Sequence, residues 1–466
     1  MYRGVWPVMI RKQVDGSLIV TRPSFYTDIL ILAMPLILQQ LLRVSVDTLD
    51  NMMLGRIDQM QMSAATQAQQ IFFVFYTLCN GFSSGCCVLV SQYWGKQDRE
   101  SIKTLCAIGV QYVAVFALVV TLVIQANAEA VLGLYSSDPE LIRLGASYLR
   151  IASLMYVPCA ISTMLFACCM GIEQTRVSFT TNAVSYPLNV LLDYCFVFGV
   201  FGMPGMGIRG IAVGAIIARL VEFGIIASFV FHREKALCMK LKDLTRHNRK
   251  LSLDFVKVGM PIVAHELIWS TGTTAGSFIM GHVSTVIVTG YNLAYTLYQL
   301  MACFMNGVLH ACSVTMGKTI GMGAGKEQIR RESYSLLLIG LAGGILLGVL
   351  TLLVRQPFLD LYHLDAETRA YASVFVVIIA CIWPFSGMEM TGLIATLRAG
   401  GDGKTGFICD IFTMWLITIP LAALCTFVLD WPPYIAIAII KFNIVLESLV
   451  GIWRIHTMKW VKNLTT

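Results

Sequence analysis

Apolar stretches long enough to cross a bilayer recur along nearly the whole chain, from near residue 28 to near residue 456, and they decide what it can fold into. A hydrocarbon core of about 30 Å takes about 20 helical residues to cross. In lipid every backbone amide must find its partner inside the protein, so only helices or closed barrels can span it. Runs such as Ile108 to Ile124 and Leu336 to Leu353 are continuous and lack the alternation of barrel strands. The chain is 57% hydrophobic and 13% charged, against roughly 25% charged for soluble domains. These features predict an all-α polytopic membrane protein.

Helices are expected over 28–53, 62–90, 105–126, 142–169, 177–200, 208–231, 256–281, 287–316, 334–354, 369–396, 405–428 and 434–456, which makes about twelve. One long polar stretch, His232 to Lys257, is rich in Lys and Arg, and the positive-inside tendency places it in the cytoplasm. Because it follows the sixth span, both termini are expected there too, in a multi-pass protein of the inner (plasma) membrane. The parts are then a tail at 1–27, a first lobe at 28–231, a basic linker at 232–255, a second lobe at 256–456 and a tail at 457–466. Residues 1–27 carry Arg3, Arg11, Lys12 and Arg22 without a small-residue cleavage site, so they read as a retained tail. The net charge of +7 follows from this topology and implies no nucleic-acid partner. The 14 cysteines are scattered among apolar neighbours and read as small packing residues.

The two halves repeat. Pro35 in AMPLILQQLL matches Pro261 in GMPIVAHELI at an offset of 226, and the same offset carries Gly55 to Gly281 and Gly95 to Gly321. Later, GIEQT from Gly171 matches GGDGK from Gly400 at an offset of 229. Six helices per repeat is an even number, so the halves are parallel repeats about an axis along the membrane normal. Transporters use such pairs to place a site between two lobes that rock against each other.

Ionisable residues at membrane depth are costly and mark function. On the first helix Arg43, Asp47 and Asp50 fall on or near one face. Arg43 neutralises one carboxylate and leaves Asp50 for a cation or proton, unless both acids lie in water at the helix end. On the fifth helix Asn189 and Asp193 share a face just after Pro187, which frees backbone carbonyls. Such a pair suits Na⁺ or a proton, or Asp193 partners an Arg. In the second half Glu266 lies beside His265 and three residues from Trp269, an acid with an aromatic that suits an organic cation. Its counterpart in the repeat is Gln40, and that of Asp50 is Gly276, so the lobes differ in their acids. Glu389 and Asp410 are further second-lobe acids, as ligands or as packing partners, with Tyr291 and Asn292 in support. Tyr291, Tyr295 and Tyr298 form one helical stripe, either core or a pliable pocket wall. Arg219 and Glu222 are expected to pair structurally, while Lys441 and Glu447 share no face and find partners elsewhere.

At these residues the sequence resembles the multidrug and toxic compound extrusion (MATE) family. The resemblance rests on LDNMMLG, SSGCCVLVSQYWGKQD, PLNVLLDYCFVFG, GMPIVAHELIWSTGT, LRAGGDGKT with Arg398 and Asp402, and RIHTMKWVKNL, in order over nearly the whole chain. It implies a V-shaped pair of six-helix lobes exporting cationic or amphipathic molecules by antiport with H⁺ or Na⁺. It further implies a first-lobe cation site at Asp50, Asn189 and Asp193. Apart from that, no other metal and no cofactor are expected, and the protein is expected to be a monomer in the lipid bilayer. Ala215 stands where family members commonly carry Thr, which removes a ligand oxygen and favours the proton. Gly387 stands where another branch places an Asp, unless Glu389 substitutes for it. The alternatives are a flippase for lipid-linked precursors, which needs a strongly basic cavity, and a membrane-embedded enzyme, which needs a catalytic cluster near a membrane face.

Overall fold

The regular structure is helical throughout, with no strand among the described residues. The computed structural model describes residues 18–54, 59–136, 138–200, 205–234, 238–362 and 364–465, without the side chains of Asp47, Thr48, Asp50, Asn51, Met52, Leu54 and Gln59. The first half comprises α1 (Pro23–Leu54), α2 (Gln59–Gly95), α3 (Arg99–Gly133), α4 (Pro139–Ala152), α5 (Tyr156–Gly171), α6 (Thr175–Phe198) and α7 (Ile208–Ser228). The second comprises α8 (Arg249–Gly281), α9 (Thr285–Gly321), α10 (Lys326–Asp360), α11 (Ala366–Glu389), α12 (Gly403–Asp410), α13 (Ile419–Phe427) and α14 (Pro433–Thr457). A 3₁₀ turn at Ser153–Met155 joins α4 to α5. A π segment, Met390–Leu397, extends α11, and another, Ile411–Thr418, joins α12 to α13.

The helices outrun the apolar stretches that announce them. Their first turns carry amide groups with no intrahelical acceptor, and polar side chains fill that need. Asp98 accepts from Ser101 N at 3.0 Å to start α3, Asp138 caps α4 just before Pro139, and Asn248 accepts from Lys250 N at 2.9 Å to start α8. Such polar end turns leave no hydrophobic signal. Ten of the helical spans are long and apolar enough to cross a membrane by length and composition. The remaining long helices, α6 and α8, carry Asn189 with Asp193 and His265 with Glu266.

The repeat reappears as a pair of matched contacts between the halves. A methyl placed on Gly95 would lie 2.2 Å from the Lys318 carbonyl oxygen, and one on Gly321 would lie 1.8 Å from that of Gln92. The 226-residue offset carries Gly95 to Gly321 and Gln92 to Lys318, so these are one contact seen twice. Gly81 against Val263 and Gly307 against Ile37 form a second such pair. Bare glycine backbones let α2 cross α8 and α9 closely, as membrane helices do where small residues meet.

These crossings lie toward the ends of α2 and α9 from which the linker and the C-terminal segment are also held, here termed the linker side. Gln111 Nε2 donates to Leu244 O at 2.6 Å, and Phe255 stacks against Tyr112 and Phe82. Thus the part of the basic stretch around Leu244 and Phe255 packs along α3.

Candidate functional site

Three polar groupings lie within the apolar helices. The first joins α6 to α7. Asn189 and Asp193 are one turn apart on α6 and buried, with Asp193 only 1% exposed. The Asn189 amide donates to Asp193 Oδ2. An ionised carboxylate only accepts, so the amide must present its NH₂. Gly214 of α7 faces the other oxygen, and a methyl there would lie 2.1 Å from Asp193 Oδ1. Pro187 lies inside α6, and lacking an N–H it leaves the Ala183 carbonyl without its helical partner. Ala215 packs against the first-half core. Arg43 is half-buried on α1, which packs against α6. Asp47 and Asp50 belong to the helical backbone of α1, but their side chains lie outside the described residues.

The second grouping is a partly open cavity of about 100 Å³ among α1, α2, α5, α6, α7 and α9. Gln39 and Gln40 line it from α1, Ser83 from α2, Asn182 from α6, and His310 closes it from the second half. Arg219 and Glu222 stand in its wall as an ion pair, Nη1 to Oε2 at 2.6 Å, the pairing expected from their i,i+3 spacing. The Arg219 guanidinium also lies 5.7 Å from the centre of the Tyr186 ring.

The third grouping is a charge network in the second half. Arg398 donates through Nη1 to Glu266 Oε1 at 2.9 Å and through Nη2 to His265 Nδ1 at 2.7 Å. A guanidinium has no acceptor, so His265 Nδ1 must accept and a neutral ring carries its proton on Nε2. Nε2 lies 3.4 Å from Asp410 Oδ2 without the alignment of a hydrogen bond. Asp410 neighbours Glu447 and Glu389. Thr413 and Asn443 donate to Glu447 at 2.7 and 3.2 Å. Lys441 sits 5.0 Å over the Tyr298 ring and 5.6 Å over the Tyr295 ring. Tyr291, Tyr295 and Tyr298 stack in sequence and end on Trp383.

Glu266, Glu389 and Asp410, singled out separately from the sequence, therefore belong to one network. The group that meets Glu266 is Arg398, whereas Trp269 is half-buried on the same helix. Asn292 is exposed, next to the buried Tyr291. Sequence reasoning did not anticipate that Arg398 would bridge Glu266 and His265, nor the contacts of Gln92, Glu173 and Lys318 described below. LRAGGDGKT marked Arg398 as notable, but nothing in spacing joins it to a residue on α8.

The MatE family model matches residues 35–195 and 261–424, covering most of both halves. The chain is 29% identical over 406 residues to the "Probable multidrug resistance protein NorM" of Agrobacterium fabrum, covering 86% of each. The crystal structure of MATE in complex with MaL6 superposes with a TM-score of 0.85 at 15% identity, over 93% of this chain and 97% of that one. An outward-facing multidrug resistance MATE family transporter of the MOP superfamily gives 0.81 at 16% identity, over 93% and 97%. These last two likenesses concern the fold, and together with the family match they place the two six-helix halves as the two lobes of that architecture. The chain is thus a multi-pass membrane protein and belongs to the MatE family, the multidrug and toxic compound extrusion transporters.

Proposed function

We propose that this protein is a secondary active antiporter of the plasma membrane, a monomer with both termini in the cytoplasm, exporting small cationic or amphipathic molecules in exchange for an inward cation. The observation that carries this reading is the buried Asn189–Asp193 pair with Gly214 against it. A carboxylate buried in an apolar helix bundle is a group whose charge is costly, and a cation or proton arriving there offsets that cost. The proton is the better fit, since Ala215 offers no side-chain oxygen for Na⁺. Neutralising Asp193, with Asp50 on α1, removes charge from the wall of the first lobe and favours a changed packing of α1 around the cavity it lines.

Three deep cations argue against a flippase for pyrophosphate-linked lipids. Arg219 faces Glu222, Arg398 faces Glu266, and Lys441 lies over two tyrosine rings. A basic cavity would need such cations to face the substrate together. An enzymatic role has no comparable support, because the charged groups here bind one another within lipid-spanning helices.

The experiment uses proteoliposomes loaded with a cationic dye, with either a pH gradient or a Na⁺ gradient imposed. Dye efflux should follow the pH gradient and be lost in Asp50→Asn and Asp193→Asn. Undiminished efflux in both variants would sink this mechanism.

A further inference from the structure

The Arg219–Glu222 pair stands where a purely structural pair has little reason to be. Arg219 lies near the middle of α7, so the pair sits deep in the membrane. Burying two charges costs about as much as their attraction returns, and apolar side chains of similar size would serve the packing as well or better. Both residues also keep bonding capacity in reserve. Their one mutual hydrogen bond uses Arg219 Nη1 and Glu222 Oε2. The other edge of the guanidinium and Glu222 Oε1 make no further hydrogen bond among the described residues, although both residues line the cavity.

Other atoms in the same wall point to a polar occupant. Ser83 is 3% exposed and Asn182 1% exposed, yet Ser83 Oγ and Asn182 Oδ1 have no hydrogen-bond partner among the described residues. Buried polar atoms of this kind are uncommon and costly unless something meets them. Tyr76, Phe166 and Tyr186 add aromatic surface beside them.

The charge balance then decides which occupant fits. A simple organic cation would be attracted by Glu222 and repelled by Arg219 over similar distances, so the pair gives it little. A molecule carrying both signs gains from each member. We propose that the first-lobe cavity binds an amphipathic zwitterion, its carboxylate on the free edge of Arg219 and its ammonium on Glu222, with its apolar body along the aromatic wall. This specificity rests on the transport reading above for its physiological meaning, but the binding itself does not require transport.

Three dansyl probes of one fluorophore and similar chain length separate the possibilities. Dansylcadaverine ends in an ammonium, N-ε-dansyl-lysine in an ammonium and a carboxylate, and dansyl-6-aminohexanoate in a carboxylate. They would be titrated by fluorescence against the purified full-length protein in nanodiscs with no gradient. The zwitterion should bind about tenfold tighter than either singly charged probe, the scale of one charge-assisted hydrogen bond. Arg219→Gln should transfer the preference to dansylcadaverine, and Glu222→Gln should transfer it to dansyl-6-aminohexanoate. A pair that only held α7 in place would change all three affinities alike. Equal binding of the three by wild type, preference for dansylcadaverine, or no binding of any would overturn the proposal, and none of these depends on the variants folding. Loss of gradient-driven dye efflux with the probe order intact would instead count against antiport.

Discussion

Gly214 of α7 stands directly against the carboxylate of Asp193 on α6, so that a methyl added to it would lie 2.1 Å from Oδ1 and 3.1 Å from the Asp193 amide nitrogen. The room for this acid is thus made by a missing side chain on the next helix. Alanine at 214 must displace the carboxylate or separate α6 from α7. Gradient-driven dye efflux should fall about tenfold or more in Gly214→Ala, the scale of a charge-assisted hydrogen bond lost. Gly224 on the same helix is the control, since a methyl there meets nothing within 4 Å. Gly224→Ala should transport like wild type and melt no lower, because Ala is the better helix residue by about 1 kcal/mol. Equal efflux from both variants would remove Gly214 from the site.

That relationship shows where the sequence stopped being legible. Spacing along one helix was enough for Asn189 with Asp193 and for Arg219 with Glu222, because i,i+3 and i,i+4 neighbours meet whatever the rest of the protein does. The apolar runs located the helices, and the repeat was visible in Pro35 with Pro261 and Gly95 with Gly321. In GIAVGAIIARLVE the family resemblance singles out Ala215, through an oxygen it lacks, while the glycine before it makes the contact. Which face of α7 meets α6 depends on helix rotation, and an apolar helix surrounded by lipid and protein gives weak periodicity to read. Contacts between distant elements were hidden for the same reason. Lys441 over the Tyr295 and Tyr298 rings joins α14 to α9, and no local pattern records it.

Arg398 offers a second test, as the one described cation hydrogen-bonded to both His265 and Glu266. Its removal leaves Glu266 without that ion pair and brings a second-lobe cluster already containing Asp410, Glu389 and Glu447 nearer to net negative. Breaking a buried pair from one side costs about 3 kcal/mol. Arg398→Met should therefore lower the melting temperature clearly, and adding Glu266→Gln should recover much of the loss. Arg398→Lys should not rescue fully, since an ammonium lacks the planar fork that reaches both partners. Additive losses in the double variant would show that the two residues do not act as a pair.

The last test concerns the linker side, where the lobes are tied by side chains as well as by the glycine crossings. Lys318 Nζ of α9 lies 2.7 and 2.8 Å from the two carboxylate oxygens of Glu173, which follows α5. Trp94 Nε1 holds the same carboxylate at 3.2 Å. At the equivalent place in the repeat, Gln92 donates to Ala399 O at 2.7 Å and accepts from Leu464 N at 2.8 Å, binding the C-terminal segment to the first lobe. Alternating access would require this side to open, and these contacts would then part. A partly exposed ion pair is worth up to about 1 kcal/mol, or about fivefold in population. Lys318→Gln and Glu173→Gln should each speed hydrogen exchange about that much at the linker-side ends of α2 and α9, leaving the far ends of both helices unchanged. The reversed double variant, Glu173→Lys with Lys318→Glu, should restore protection. Faster exchange spread evenly along both helices would mean general loosening, and the pair would then have no part in closing this side.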